Sequence, residues 1–369
     1  MATICFATWD GGGNVPPALL VAAELQRRGH TVVVLGHPRQ QGEVTAAGLT
    51  FEPYATARPF SAIDENSVPR LMGMFGDRAM GSDVVASARR NAADLVVVDC
   101  LLAGVLDGVA RAGLKYAVLE HFFDAYLRKG WLRGPIGLAM RLKGLRPGRR
   151  LADAAVSIVA APPELDPSAS GKHADTLRFV GPVLDAPAPR SADARGILVS
   201  LSTYRYSGMT EVLQRVIDAT ADLDTRVVVT TGPAVDPADL RPAANTELHR
   251  YVPHDELMPH VAMVVGHGGH ATTMRALAHD LPLLVVPMHP MLDQPMVGKA
   301  VQKAGAGRVL KKSAGVDALR PVIAELLADG PHRAAAARLG AAIREADGRS
   351  AAADLVEAAV RNGSALPQT

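Results

Sequence analysis

The chain has 369 residues, more than one ordinary hydrophobic core organises, so two domains of similar size are expected. Hydrophobic residues make up 48% and charged residues 21%, which is the balance of a globular rather than a disordered chain. Lys plus Arg number 39 against 37 Asp plus Glu, so the basic field of a general nucleic-acid binder is missing and DNA and RNA are not expected partners.

The N-terminal half alternates short apolar runs with helical patterns. Strands are expected at Thr3–Thr8, Thr31–Leu35, Leu95–Asp99 and Tyr116–Glu120, with helices at Pro17–Arg28 and Leu101–Ala112. The opening run ICFA is too short for a signal peptide, and no stretch reaches the ~20 apolar residues of a spanning helix. Cys5 and Cys100 both sit in apolar runs, so no disulfide framework is implied and a reducing cytoplasm is the expected setting. After the first strand comes WDGGGNVPP, where Gly11, Gly12 and Gly13 precede a helix with Pro16 and Pro17 in its first turn. Pro16 stands where a dinucleotide fingerprint needs its third glycine, which disfavours NAD and FAD. Asn14 has two readings, a cap for that helix or a contact for a ligand.

Arg128–Arg150 holds eight basic residues and no acid, interleaved with Trp131, Leu132, Ile136, Leu138, Met140 and Leu142. That combination can cover a pocket, form a solvated surface or, least expected, touch an anionic membrane. Between Asp185 and Gly196 the chain becomes DAPAPRSADARG, an interdomain linker by composition. A second alternating series comes next, with strands at Ile197–Ser202, Arg226–Thr231, Glu247–Tyr251, Met263–Val265 and Leu283–Val286 and helices at Glu211–Thr220 and Thr272–His279. Helices at Val316–Ala328, His332–Ala346 and Ala351–Arg361 close the chain. Strands alternating with helices build parallel βαβ units, so the expected fold is α/β: two Rossmann-like doubly wound domains facing across a cleft.

The stretch VVGHGGHATTMRALAHDLPLLVVPMHPMLDQ carries most of the chemistry. A helix opening beside Gly268 and Gly269 presents unpaired N–H groups and the positive end of its dipole, which suits a diphosphate. His267, Thr272 and Thr273 add donors, while Asp293 and Gln294 leave the next strand where a polyhydroxyl ligand can be gripped. His267 and His270 have the spacing of zinc ligands, yet no Cys or carboxylate stands at ligand spacing beside them. Asp222 and Asp224 read as solvated residues at a connection, and no metal is expected.

This stretch resembles the donor signature of glycosyltransferase family 1, the inverting enzymes with the GT-B fold, especially the bacterial natural-product members. The matching positions are His267, Gly268, Gly269, Thr272, Thr273, Ala276, Leu277, Pro282, Pro287, Asp293 and Gln294; Arg275, Asp280 and the longer Met288–Leu292 link depart from the pattern. Ser202 and Thr203 resemble the family's Ser-Leu-Gly-Thr segment, and Tyr251 with Val252 resembles its base-stacking site. The resemblance implies an acceptor-binding domain over 1–184, a linker over 185–196 and a nucleotide-sugar domain over 197–349. It also implies a helix over 350–369 crossing back to the first domain.

In the family's opening motif a His deprotonates the acceptor, and alignment on Pro17 puts Asn14 at that position. An amide does not titrate near neutral pH, so another group must take the proton. Asp99 matches the Asp that normally orients the His, and Glu120 and His121 are rivals one strand away. An imidazole ordinarily titrates at ~6.5 and a carboxylate near ~4, and position places Asp99 slightly ahead of His121. Gly12, Gly13 and Glu120 are the expected acceptor contacts. The implied activity is transfer of a hexose or deoxyhexose from a UDP or TDP donor to a small hydrophobic acceptor, with no other cofactor. Oxygen is the expected attachment atom, with carbon or nitrogen on an aromatic acceptor as the alternative. A non-catalytic nucleotide-sugar-binding partner and an epimerase are rival readings, and a homodimer is left open.

Overall fold

The computed structural model describes residues 1–64, 67–187, 191 and 194–361. Positions 188–190 and 192–193 of the expected linker lie outside the described residues. The chain divides into two compact units, Met1–Asp185 with Asp347–Thr369, and Ala186–Ala346.

In the first unit the strands are β1 (Thr3–Ala7), β2 (Thr31–Gly36), β3 (Thr50–Pro53), β4 (Leu95–Asp99), β5 (Tyr116–Glu120), β6 (Val156–Val159) and β7 (Leu177–Phe179). Its helices are α1 (Val15–Arg27), α2 (Gln41–Ala46), α3 (Val68–Phe75), α4 (Arg78–Arg90), α5 (Ala103–Arg111), α6 (Pro135–Leu142) and α7 (Pro147–Ala152). The strands form one parallel sheet in the order β3-β2-β1-β4-β5-β6-β7. Runs such as LVVVD in β4 are buried at every position because helices cover both faces of such a sheet. Order reverses at β1, which pairs with β2 on one side and β4 on the other, so the loops after β1 and β4 part there.

In the second unit the strands are β8 (Gly196–Ser200), β9 (Val227–Thr230), β10 (Thr246–His249), β11 (Val261–Gly266), β12 (Leu283–Val285) and β13 (Gly307–Val309). The helices are α8 (Met209–Thr220), α9 (His254–Leu257), α10 (His270–Ala278), α11 (Gln294–Lys303), α12 (Val316–Leu327) and α13 (Pro331–Ala346). The sheet is again parallel, in the order β10-β9-β8-β11-β12-β13, and reverses at β8. Its core is Ile197, Val199, Val227, Val229, Met263 and Val265 packed against α8 and α12.

The last helix, α14 (Gly348–Arg361), belongs to the first unit and packs on α1. Ala352, Ala353 and Val356 join the core that contains Ala22 and Leu25, and Arg28 ties Glu24 to Asp354 and Glu357. The basic stretch Arg128–Arg150 is interrupted by its Gly and Pro residues into one π-helical turn, Tyr126–Trp131, and the short helices α6 and α7. Leu138 and Leu142 of α6 are exposed. No helix among the described residues is long and apolar enough to cross a membrane.

Candidate functional site

At the order reversal of the first unit, β4 ends in Asp99, next to the loop that leaves β1. Asn14 begins α1 but its side chain makes no capping bond; it is 3% exposed and turned back into the loop. Its Nδ2 donates to the Trp9 carbonyl at 3.0 Å and to Asp99 Oδ2 at 3.1 Å. A Cβ on Gly11 would stand 2.6 Å from Asn14 Oδ1, so glycine is what lets the loop close over that amide. The cap reading of Asn14 finds no side-chain bond in this geometry.

Asp99 is 7% exposed and its other oxygen, Oδ1, accepts from the Leu101 N–H at 2.9 Å. His121, directly after β5, places Nδ1 3.3 Å from Asp99 Oδ2, at ion-pair distance but outside good hydrogen-bond geometry. Its ring meets Phe122 edge-on at 4.6 Å. With Nδ1 turned to Asp99, Nε2 occupies the far edge of the ring, which is the arrangement in which a carboxylate orients an imidazole base. The Cys100 thiol lies in the same group, all of whose ligand atoms fall within 4.8 Å of one another. Burial, then Asp99 and Glu120, push that thiol well above its usual range, so it stays protonated.

Glu120 departs from the expectation. It is 0% exposed, with its carboxyl turned inward 3.7 Å from Arg128, so it offers no surface to an acceptor. Burial, and Asp124 beside it, raise it well above the carboxylate range. Gly12 is half-buried with φ of 78°, and Gly13 is exposed. Sequence reasoning missed the concentration of buried polar atoms without partners around this strand end: Trp9 Nε1, Asp10 Oδ2, Asn14 Oδ1 and His37 Nε2. Each such atom costs about 1–3 kcal/mol unless a ligand or water meets it.

In the second unit the loops at the reversal are 201–208 after β8 and 267–269 after β11. Gly268 has φ of +84°, and a Cβ there would stand 2.8 Å from the Gln294 carbonyl and 2.9 Å from Val285. Only glycine turns the chain here into α10, whose first N–H groups have no intrahelical acceptor. His267 donates to the Leu201 carbonyl, and its Nδ1 is buried without a partner. Burial lowers the ring to about 4, and an anion brought beside it favours the charged form, so ring and anion reinforce each other. Thr272 is half-buried at this helix mouth, whereas Thr273 is 2% exposed and packs inward.

Gln294 also departs from the expectation. Its Oε1 accepts from the Met288 and His289 N–H groups at 2.8 and 2.9 Å, and the residue is 2% exposed, so it braces the turn after β12 instead of reaching a sugar. Asp293 begins α11 half-buried and makes no capping bond. Ser202 Oγ accepts from the Tyr204 N–H at 3.0 Å, Thr203 is exposed, Val252 is half-buried, and Tyr251 is 76% exposed with its ring face available for stacking. Two further residues stand beside these loops, His254 from the Tyr251–His254 segment and Tyr206, which sequence reasoning passed over. His254 Nε2 lies 3.0 Å from Ser200 Oγ, and Tyr206 stands beside His267 and His289. The concavity of about 460 Å³ in this unit, lined by Arg195, Gly196, Thr225, Asn245 and Val261, is at the amino ends of the strands, opposite these loops.

Residues 214–357 match the family described as erythromycin biosynthesis protein CIII-like, C-terminal domain. The 4'-demethylrebeccamycin synthase of Lentzea aerocolonigenes is 27% identical, over 97% of this chain and 100% of that protein. An uncharacterized UDP-glucosyltransferase, YojK, of Bacillus subtilis (strain 168) is 23% identical over 98% of each. Among solved structures, the calicheamicin glycosyltransferase CalG4 superposes with a TM-score of 0.76 at 26% identity, covering 100% of both chains. The glycosyltransferase VinC in complex with DTDP gives a TM-score of 0.73 at 20% identity, over 98% of this chain and 100% of that one.

Proposed function

Because this chain is a nucleotide-sugar-dependent glycosyltransferase of the bacterial natural-product kind, with the GT-B fold, we propose that it moves a hexose or deoxyhexose from a UDP or TDP donor to a hydroxyl of a small hydrophobic acceptor. The observation that carries this reading is the mouth of α10, where the Gly268–Gly269 turn, His267 with its partnerless Nδ1, Thr272 and the N-terminal end of the helix meet at the order reversal of the second sheet. Negative charge grows on the departing diphosphate as the glycosidic bond breaks, and fixed donors at a helix N-terminus stabilise it in place of a cation. A UDP-glucosyltransferase relative and a structural neighbour solved with DTDP support the choice of nucleotides. Tyr251 stacks the pyrimidine and Val252 flanks it.

On the acceptor side His121 is the base and Asp99 its positioning carboxylate. Both Asp99 oxygens are already engaged, Oδ1 by Leu101 and Oδ2 by Asn14, which disfavours Asp99 as the direct base. Asn14 thus donates to the carboxylate from the position where the family carries a His. His121 takes the hydroxyl proton, the oxygen attacks the anomeric carbon opposite the diphosphate, and configuration inverts. A base of this kind serves a hydroxyl, which favours oxygen attachment. Incubation with UDP- and TDP-sugars and a panel of phenolic and alcoholic acceptors tests the reading, with product configuration read by NMR. The expected product carries the inverted linkage. Retention of configuration, interconversion of free donor without an acceptor, or donor binding with no transfer to any acceptor overturns it.

A further inference from the structure

We infer that Tyr206 reads a hydroxyl of the donor sugar, with Gln294 and Ser202 as its positioning residues. The inference rests on the donor site proposed above and adds a residue that the His-Gly-Gly signature does not contain.

Tyr206 lies in the loop between β8 and α8, its ring centroid 6.5 Å from that of His267 and 6.0 Å from that of His289, tilted against both. The loop is held in place: the Tyr206 N–H points to Met209 Sδ at 3.2 Å, the ring packs partly on the unit's core, and Gly208 turns into α8 with φ of +79°. The phenol oxygen is within hydrogen-bonding reach of Ser202 and Gln294, and Asp293 is its charged neighbour. Burial and Asp293 push the phenol up to about 12, so it keeps its proton near neutral pH.

The direction of each bond decides what the phenol can do. Gln294 Oε1 already holds the Met288 and His289 N–H groups, so the part of its amide left for Tyr206 is Nε2, a donor. Ser202 Oγ accepts from the Tyr204 N–H, which leaves its own proton to donate. In the inferred arrangement both donate to the phenol oxygen, and its O–H points elsewhere, beside the Asp293 carboxylate. A sugar hydroxyl between them accepts from Tyr206 and donates to Asp293, satisfying both of its hydrogen-bonding roles. In this arrangement Gln294 acts on the sugar through Tyr206 rather than by touching it.

The test uses the full chain and the variants Tyr206→Phe and Gln294→Glu, singly and combined. Affinity for UDP and TDP is measured by titration calorimetry, and KM and kcat are measured with a hexose donor and the matching deoxyhexose donor. The expected result for Tyr206→Phe is unchanged diphosphate affinity, a five- to tenfold higher KM for the hexose donor at little change in kcat, and equal narrowing of its preference over the deoxy donor; one lost hydrogen bond is worth roughly that factor. Gln294→Glu keeps the acceptors for Met288 and His289 while removing the donor to Tyr206. Its effect on donor preference should therefore disappear in the double variant. Tyr206→Phe that keeps the wild-type donor preference overturns the inference while leaving the diphosphate site standing. Absence of UDP and TDP binding in the wild type, or binding indifferent to Thr272→Val, overturns the donor-site reading itself and this inference with it.

Discussion

Replacing Asp99 by Asn is the sharpest test of the acceptor side, because the change is isosteric and its consequences come from counting donors. Three groups converge on the carboxylate: the Leu101 N–H on Oδ1 at 2.9 Å, Asn14 Nδ2 on Oδ2 at 3.1 Å, and His121 Nδ1 3.3 Å from Oδ2. An amide has one acceptor oxygen and one NH2. If the oxygen faces Asn14 and His121, the NH2 opposes the Leu101 N–H; if the amide turns over, it opposes Asn14 instead. Either orientation loses a hydrogen bond to a charged group, worth about 1.5–3 kcal/mol, and sets donor against donor, so a loss of about 2–4 kcal/mol is expected. Chemical denaturation measures it. The catalytic cost is separate, since a neutral amide no longer stabilises the imidazolium that forms as His121 takes the proton. A fall in kcat/KM of about 10²–10⁴ is expected at a temperature where circular dichroism shows the variant folded, with diphosphate affinity unchanged. If Asp99→Asn turns over within threefold of the wild type, the Asp99–His121 pair does not perform the proton transfer and the reasoning fails.

Gly268→Ala combines a disallowed φ of +84° with a Cβ 2.8 Å from the backbone oxygen of Gln294, which cannot swing aside. It should cost more than about 2 kcal/mol and abolish detectable UDP and TDP binding, and a variant that binds normally in calorimetry would show that the turn is not built as described. Acid should also weaken the fold in a defined window. His37, His254 and His267 are each lowered to about 4, mainly by burial, from an ordinary value of 6.5. Between those values the three rings take up protons in the unfolded chain and refuse them in the folded one, so the share of stability they carry is full above about 6.5 and is lost as pH drops toward about 4, while the raised Glu120 works in the opposite sense. Urea midpoints of the wild type and His254→Asn measured from pH 7 to pH 4 should differ, the variant losing less stability on acidification; an identical pH dependence contradicts the burial of this ring.

Much of the fold was legible because parallel strands are buried on both faces and read as unbroken apolar runs. LVVVD and YAVLE announce β4 and β5, and the residue after each run is where a doubly wound sheet places its chemistry. The short edge strands gave less signal: β3 is TFEP, half-exposed, and β7 has three residues of which one is buried. Helix α4 was hidden for a different reason, since its run RAMGSDVVASARR is largely polar and small and buries chiefly Met80, Gly81, Val84, Ser87 and Ala88. At the site, sequence order identified Asn14, Asp99 and His121 but not who donates to whom. Gln294 illustrates the limit. Its carbonyl is claimed by two N–H groups of a turn five and six residues upstream, and nothing in an Asp-Gln pair reveals that turn. Glu120 is similar, because burial against Arg128 depends on a π-helical turn that begins six residues later.

The two sheets reverse order in the same way yet collect opposite chemistry at the reversal, and the local chain explains why. In the first unit β4 terminates in a carboxylate with Cys100 and Leu101 behind it, and α1 begins with prolines at its first turn, which supply no N–H groups there. That strand end therefore gathers Asp99 and His121, groups able to hold a proton, with the Asn14 amide donating to the carboxylate. In the second unit β11 ends in Gly266, His267, Gly268 and Gly269, with no acidic side chain before α10 and a full set of N–H groups in its first turn. That end gathers donors, suited to receiving a departing anion. A few residues would exchange the character of the ends: an acid introduced at Gly269, where a Cβ would already crowd His267 Nε2 at 2.6 Å, would place negative charge at the proposed diphosphate site. On the proposed reading, the division of labour between base and leaving-group site is set by the residues just beyond one strand in each sheet, while the common βαβ framework is indifferent to it.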